Sequence, residues 1–150
     1  MPTYLRVGIS GAKGRGVFAE KAFEVGEVLE VCPLIILDKE RDDPLLDTII
    51  EEYIYAWMSG GSAVALGFGS LYNHSYESNA AYKRIEATNQ LIFEAIRPIE
   101  EGDEVTINYN GDPDDKTHLI FDGDCWGTEE QWEDWEERQK TKESAAEEES

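Results

Sequence analysis

Three short clusters carry the side chains and turns with chemical potential. The first is Lys13-Gly14-Arg15-Gly16-Val17-Phe18-Ala19. The second is Leu66-Gly-Phe-Gly-Ser-Leu-Tyr-Asn-His-Ser75, with Asn79 beyond it, and the third is Gly102-Asp-Glu-Val-Thr-Ile-Asn-Tyr-Asn-Gly111. Glycines at 14 and 16 permit a tight turn, although glycines at this spacing also make turns that bind nothing. Asn73 and His74 put an amide and an imidazole side by side, where they either hold a polar ligand or cap a turn. Tyr109 ends the third cluster with a phenol, which at an ordinary pKa near 10 orients a nucleophile without carrying a charge. Asn73-His-Ser75 also fits a glycosylation sequon, expected to stay empty because nothing directs the chain to the secretory path.

The elements that must position these clusters read mostly as short strands. Residues 4–9 alternate loosely, residues 28–31 and 34–37 are short apolar runs, and Gly11, Gly14, Gly16, Gly26 and Pro33 punctuate them. From Leu45 the pattern changes: Leu45, Leu46, Ile49, Ile50, Tyr53, Ile54, Trp57 and Met58 follow helical spacing, which predicts one amphipathic helix ended by Gly60-Gly61. Beyond it, residues 63–72, 80–85, 91–96 and 104–109 read as strands, with a hairpin turn over 87–90 and a connecting turn over 97–102. Residues 129–142 are rich in helix formers and place Trp132 and Trp135 on one face, so a short docked helix is expected there. There is no internal repeat.

Composition narrows the function classes. A chain of 150 residues fits one domain with a real core. Its longest near-apolar stretch, residues 31–37, is far short of the roughly 20 residues of a membrane-spanning helix. No basic segment followed by an apolar one opens the sequence, so a secretory signal is not expected and the protein is placed inside the cell, in the cytoplasm. Thirty-three acidic against 13 basic residues give a formal net charge of −20. That sign disfavours direct nucleic-acid binding and favours basic protein or peptide partners. Two cysteines, Cys32 and Cys125, are too few for a disulfide framework or a four-cysteine zinc site.

In this order and at these spacings, the three clusters resemble the SET-domain protein lysine methyltransferases over roughly residues 4–111. Residues 65–75 look especially like the minimal SET enzymes of large DNA viruses and their bacterial relatives. The resemblance implies a mainly β fold with short helices, a β-clip-like set of small twisted sheets with a pseudoknot, in which the tyrosine segment passes beside the Asn-His segment. It also implies S-adenosylmethionine as cofactor, with S-adenosylhomocysteine as product. By match to the family motif, Lys13, Gly14, Arg15 and Gly16 would wrap its methionine part, while Asn73 and His74 hold the purine and neighbouring backbone. Tyr109 takes the position of the family's near-invariant catalytic tyrosine. Tyr53 matches a position lining the lysine channel, or is a core residue of the helix. Ile107 is expected to line the same channel. Tyr82 falls where some relatives place a tyrosine beside the amine, and is expected to limit the number of methyl groups added.

Methyl transfer from a sulfonium to an amine is an in-line displacement, so it requires alignment and a neutral amine rather than a covalent nucleophile. Free lysine, with a pKa near 10.4, is almost wholly protonated at neutral pH, and desolvation beside a sulfonium lowers that pKa. The sequence departs from family members that follow the tyrosine with a three-cysteine zinc cluster, since Cys125 alone lies in that region, so no metal is expected. Residues 122–133 imitate a calcium loop, but Trp126 stands at a ligand position and cannot ligate. Trp126 is instead a candidate to stack on the adenine, or packs under a C-terminal helix, and Glu130 is a further cofactor candidate. The expected organisation is a SET domain over 1–111, a closing segment over 112–142 and a disordered acidic tail over 143–150.

The implied activity is methyl transfer to a lysine of a basic protein, with histone-like tails among the substrates. An extended peptide would pair with an exposed strand while its lysine enters from the face opposite the cofactor. The small viral relatives dimerise, which adds a homodimer to the expected partners, and a viral or pathogen source would add the host nucleus as location. Two other classes stand beside this reading: a catalytically silent SET-fold module that recognises basic peptides, and an acidic chaperone that uses charge alone.

Overall fold

In the computed structural model the described residues are 3–11, 14–117, 119–121 and 124–126. Short strands dominate them. In chain order these are β1 (Leu5–Ile9), β2 (Arg15–Ala19), β3 (Val28–Leu37), β4 (Ile54–Ala56), β5 (Ser62–Ala65), β6 (Asn73–His74), β7 (Ala80–Ile85), β8 (Gln90–Ala95), β9 (Glu104–Ile107), β10 (Leu119–Phe121) and β11 (Asp124–Trp126). They form a four-stranded sheet in the order β1-β2-β9-β6, a five-stranded sheet in the order β4-β5-β3-β8-β7, and the hairpin β10-β11. β6 and β9 are parallel neighbours, with Asn73 opposite Thr106 and His74 opposite Ile107. That pairing joins the second and third clusters of the sequence.

Alternating burial explains why these segments are strands. In β8, Leu91, Phe93 and Ala95 point into the core while their neighbours are half-exposed, the period-two pattern of a sheet with one covered face. Val17, Val105 and Ile107 from the four-stranded sheet pack with Cys32, Ala63, Leu91 and Phe93 from the five-stranded one, and Tyr72 fills the space with them. Asn89 makes the β7–β8 hairpin turn in the left-handed region, at φ 49°, a conformation that asparagine tolerates.

The two apolar runs at 28–31 and 34–37 are one strand. Pro33 interrupts the pattern but not the sheet, because β3 pairs with β8 up to Pro33 and with β5 from Leu34 onwards. The proline therefore sits at the handover, where its missing N–H disrupts neither ladder.

The expected helix over 45–58 does not form. Asp43–Asp47 and Ile49–Tyr53 are separate short 3-10 turns, Ile54–Ala56 is a strand, and Met58–Gly60 is another 3-10 turn. Thr48 is extended, at φ −119° and ψ 176°, and its hydroxyl accepts a hydrogen bond from the Ile50 N–H at 3.2 Å. The helical spacing of apolar residues lost to sheet pairing: β-branched Ile54 and aromatic Tyr55 favour strands, and Ile54–Ala56 pairs with Val64–Ser62 of β5. The expected strand over 63–72 likewise stops at Ala65, where a turn carries the chain to β6. The C-terminal helix and tail lie outside the described residues.

Candidate active site

The expected strand over 104–109 stops at Ile107, and the turn that follows β9 brings Tyr109 to the Asn73 and His74 of β6. The Tyr109 N–H donates to His74 Nδ1 at 3.1 Å, which requires a neutral imidazole with its proton on Nε2. The Tyr109 hydroxyl donates to the carbonyl of Tyr72 at 2.5 Å. Backbone and side chain of Tyr109 are thus both tied to the 72–74 segment. Tyr72 is held in turn: it is buried, and its hydroxyl donates to Glu30 Oε1 at 2.6 Å.

The chain beyond Tyr109 then folds back over the Asn-His segment. Asn108 Nδ2 donates to the carbonyl of Asp115 at 2.6 Å, Asn110 Nδ2 to that of Thr117 at 2.8 Å, and the Tyr76 hydroxyl to the same Thr117 carbonyl at 3.0 Å. Lys116 Nζ completes the strap by donating to the carbonyl of Tyr76.

The first cluster meets the second through Asn73. Its Nδ2 donates to the Arg15 carbonyl and to Glu104 Oε2, each at 3.0 Å, and Ser10 Oγ donates to the other oxygen of Glu104. Gly16 is required here by close approach. A Cβ at this position would come within 2.8 Å of Asn73 Nδ2 and 2.9 Å of Glu104 Oε2. Gly14 lies in the left-handed region, at φ +77°, with open space where a Cβ would stand.

Five tyrosines, Tyr53, Tyr55, Tyr72, Tyr82 and Tyr109, line a cleft of about 290 Å³, with Glu51, Glu52 and Arg84 among its other walls. The Arg15 guanidinium lies 6.0 Å from the centre of the Tyr53 ring, linking the first cluster to this cleft. Burial, with Tyr53 and Glu104 nearby, pushes the Tyr109 phenol up to about 12, so it is neutral at physiological pH. Burial also raises Tyr55 and Tyr72 well above the usual phenol range. It raises Tyr82 too, against the opposing influence of Arg84.

The structure therefore brings Arg15, Gly16, Tyr53, Asn73, His74, Tyr82 and Tyr109 together. It does not bring Ile107 into the cleft: that side chain has zero exposure and packs in the core, because β9 turns its odd-numbered residues inward. Trp126 ends β11, opposite Leu119, and its side chain lies outside the described set. Lys13 and Glu130 are also outside the described residues, as is most of the calcium-like loop. Among the described residues, no group of three or more His, Cys, Asp or Glu side chains is placed to hold a metal ion. No helix of the described residues is long and apolar enough to cross a membrane.

Sequence reasoning missed Tyr55, Tyr72, Glu30 and Glu104. Tyr53, Tyr55 and Trp57 follow a period of two, which was the available signal for an extended segment, and the helical reading obscured it. Glu30, at the bulge in the otherwise apolar β3, and Glu104, at the start of β9, are half-buried acidic residues. Such positions call for a partner.

With this geometry in view, a family model for the SET domain matches residues 14–110. A Schizosaccharomyces pombe protein, histone-lysine N-methyltransferase, H3 lysine-37 specific, is 33% identical over 114 residues, covering 75% of this chain and 74% of its own. A Plasmodium falciparum crystal structure, of a protein assigned as a histone methyltransferase, is similar with a TM-score of 0.61 and 29% identity. That match covers 73% of this chain and 95% of the other. The Polycomb Repressive Complex 2 of Chaetomium thermophilum, bound to S-adenosylmethionine, gives a TM-score of 0.62 at 20% identity over 73% of this chain and 15% of that one, a likeness of fold alone. A match of this extent, falling on the same three clusters that converge around Tyr109, establishes that the chain belongs to the SET-domain family.

Proposed function

We propose that this SET domain is an S-adenosylmethionine-dependent protein-lysine methyltransferase acting on basic, histone-like proteins, with Tyr109 as its catalytic residue. The observation that carries the reading is the double tether of Tyr109, by its backbone to His74 and by its hydroxyl to the Tyr72 carbonyl, at the wall of a tyrosine-lined cleft.

The residues present fit the cofactor. Gly14 leaves open space beside a backbone in the left-handed region, and Asn73 fastens the Arg15 carbonyl to the segment that bears His74. Gly14, Arg15, Gly16, Asn73 and His74 are thus the residues to hold it, with Lys13, Trp126 and Glu130 as further candidates from the sequence. When bound, S-adenosylmethionine supplies an electrophilic methyl group for in-line displacement by an amine. The chain supplies alignment and exclusion of water. Phenol rings lower the local polarity, which disfavours an ammonium and releases the lysine proton to solvent before transfer. Tyr109, neutral and fixed, orients the resulting amine through its oxygen.

The acidic rim at Glu51 and Glu52 and the net charge of −20 favour a basic substrate. β4 and β7, the outer strands of the five-stranded sheet, flank the cleft, so an extended peptide running along either edge passes its mouth. Histone substrates would place the protein's work inside a cell, in the nucleus of a host if its source is viral. A closing segment over 112–142 completes the site in this reading.

The test is incubation with methyl-labelled cofactor and a panel of core histones and ribosomal proteins. The expected result is label on lysine. Tight peptide binding without label would instead indicate a silent binding module, and histone binding indifferent to Asn73, His74 and Tyr109 would indicate a chaperone.

A further inference from the structure

Tyr55 is half-buried at the wall of the cleft and is engaged at two points. Its hydroxyl donates to the carbonyl of Gly69 at 2.5 Å. Its ring stands edge-on to that of Tyr82, with centroids 5.0 Å apart and planes at 74°, and also edge-on to Phe93 at 6.3 Å. Gly69 is buried and closely packed, since a Cβ there would meet Ala65 at 2.6 Å and Cys32 Sγ at 2.8 Å. The acceptor of the Tyr55 hydroxyl therefore belongs to a tightly packed part of the core. Tyr82 rests on β7, an outer strand, and its opposite neighbour is the exposed Arg84, whose guanidinium lies 5.4 Å from the ring centre. Tyr82 thus sits between the anchored ring of Tyr55 and the exposed Arg84 guanidinium, with the buried Phe93 ring 6.0 Å away.

We infer that Tyr55 is a positioning residue that fixes the Tyr82 ring in the cleft, and through it limits how many methyl groups the target amine receives. The inference rests on the proposed lysine methyl transfer and on the role of Tyr82 within it. An edge-to-face pair holds its geometry only while both rings are anchored, and the bond to Gly69 anchors the Tyr55 end. With that bond removed, the Tyr55 ring gains freedom, Tyr82 can move aside, and the space beside the amine grows. Tyr55 itself need not touch the substrate.

The experiment compares wild type, Tyr55→Phe, Tyr82→Phe and the double variant with core histones, reading mono-, di- and trimethyl-lysine by mass spectrometry. Tyr55→Phe keeps the ring and removes the hydroxyl, so the fold is retained, and a thermal unfolding scan checks this. The ratio of higher to lower methylated product should rise about 2- to 10-fold in Tyr55→Phe, the factor represented by one ordinary hydrogen bond. It should rise in Tyr82→Phe as well, and Tyr55→Phe should add nothing in the Tyr82→Phe background, since both act through one ring. Unchanged product ratios in Tyr55→Phe beside a clear change in Tyr82→Phe overturn the inference. Unchanged ratios in Tyr82→Phe overturn instead the role of Tyr82 on which it rests. A second readout needs no turnover: in protein with isotope-labelled tyrosine rings, the Tyr82 ring resonances should shift in Tyr55→Phe. Resonances that stay in place would overturn the positioning role whatever the products.

Discussion

Tyr109 has a consequence for stability as well as for chemistry. Its phenol is pushed up to about 12 by burial, whereas an unfolded tyrosine titrates near 10. The folded state keeps a proton that the unfolded chain gives up, so the stabilisation is whole below about pH 10 and is lost as pH climbs towards about 12. Tyr109 alone should lower the unfolding free energy by about 1.4 kcal/mol per pH unit across that window. Tyr55, Tyr72 and Tyr82 act in the same direction. Denaturation midpoints measured between pH 9 and 12 should therefore fall steadily, and less steeply in Tyr109→Phe. A flat midpoint would show that the phenol is not held as described.

At the scale of elements, the junction of β2, β6 and β9 joins the glycine cluster to the Asn-His segment. Gly16→Ala forces Asn73 Nδ2 and the Glu104 carboxylate away from a Cβ that would stand 2.8 and 2.9 Å from them. Affinity for S-adenosylmethionine, read by titration calorimetry, should weaken about 10-fold, the equivalent of ~1.4 kcal/mol. Unchanged affinity would detach that junction from cofactor binding. The clearest strands were legible because alternation of buried and half-exposed residues is written directly in β8 and β9. The segment from Leu45 to Met58 was not, since its apolar residues satisfy helical and extended spacing together. Pairing of β4 with β5, which the sequence-distant β3 holds from its other side, decided between them. For the same reason the three clusters were visible from spacing, while Tyr55, Glu30 and Glu104 were not. Their significance lies in partners distant in sequence: Gly69, Tyr72 and Asn73 respectively.

For the whole molecule, charge is the property that composition already displayed. A net charge of −20 raises encounter rates with basic peptides, and ions screen that attraction, with a Debye length of about 8 Å at physiological salt and about 3 Å at 1 M. The apparent KM for a lysine-rich peptide should therefore rise as salt is added, with kcat little changed, because alignment inside the cleft does not depend on the distant field. A KM insensitive to salt would confine recognition to the cleft walls. Two sheets packed on one core, the first of them carrying the parallel pair β6 and β9, hold the tyrosine cleft and the Asn73 junction together, and the central claim concerns that relation.

It is tested most directly by single-turnover methyl transfer to a core histone, measured for wild type and Tyr109→Phe beside cofactor affinity. Removal of the hydroxyl that meets the Tyr72 carbonyl should slow transfer about 100-fold, the scale of a lost near-attack alignment, while the cofactor Kd stays within about twofold. Transfer in Tyr109→Phe at close to the wild-type rate would contradict the account.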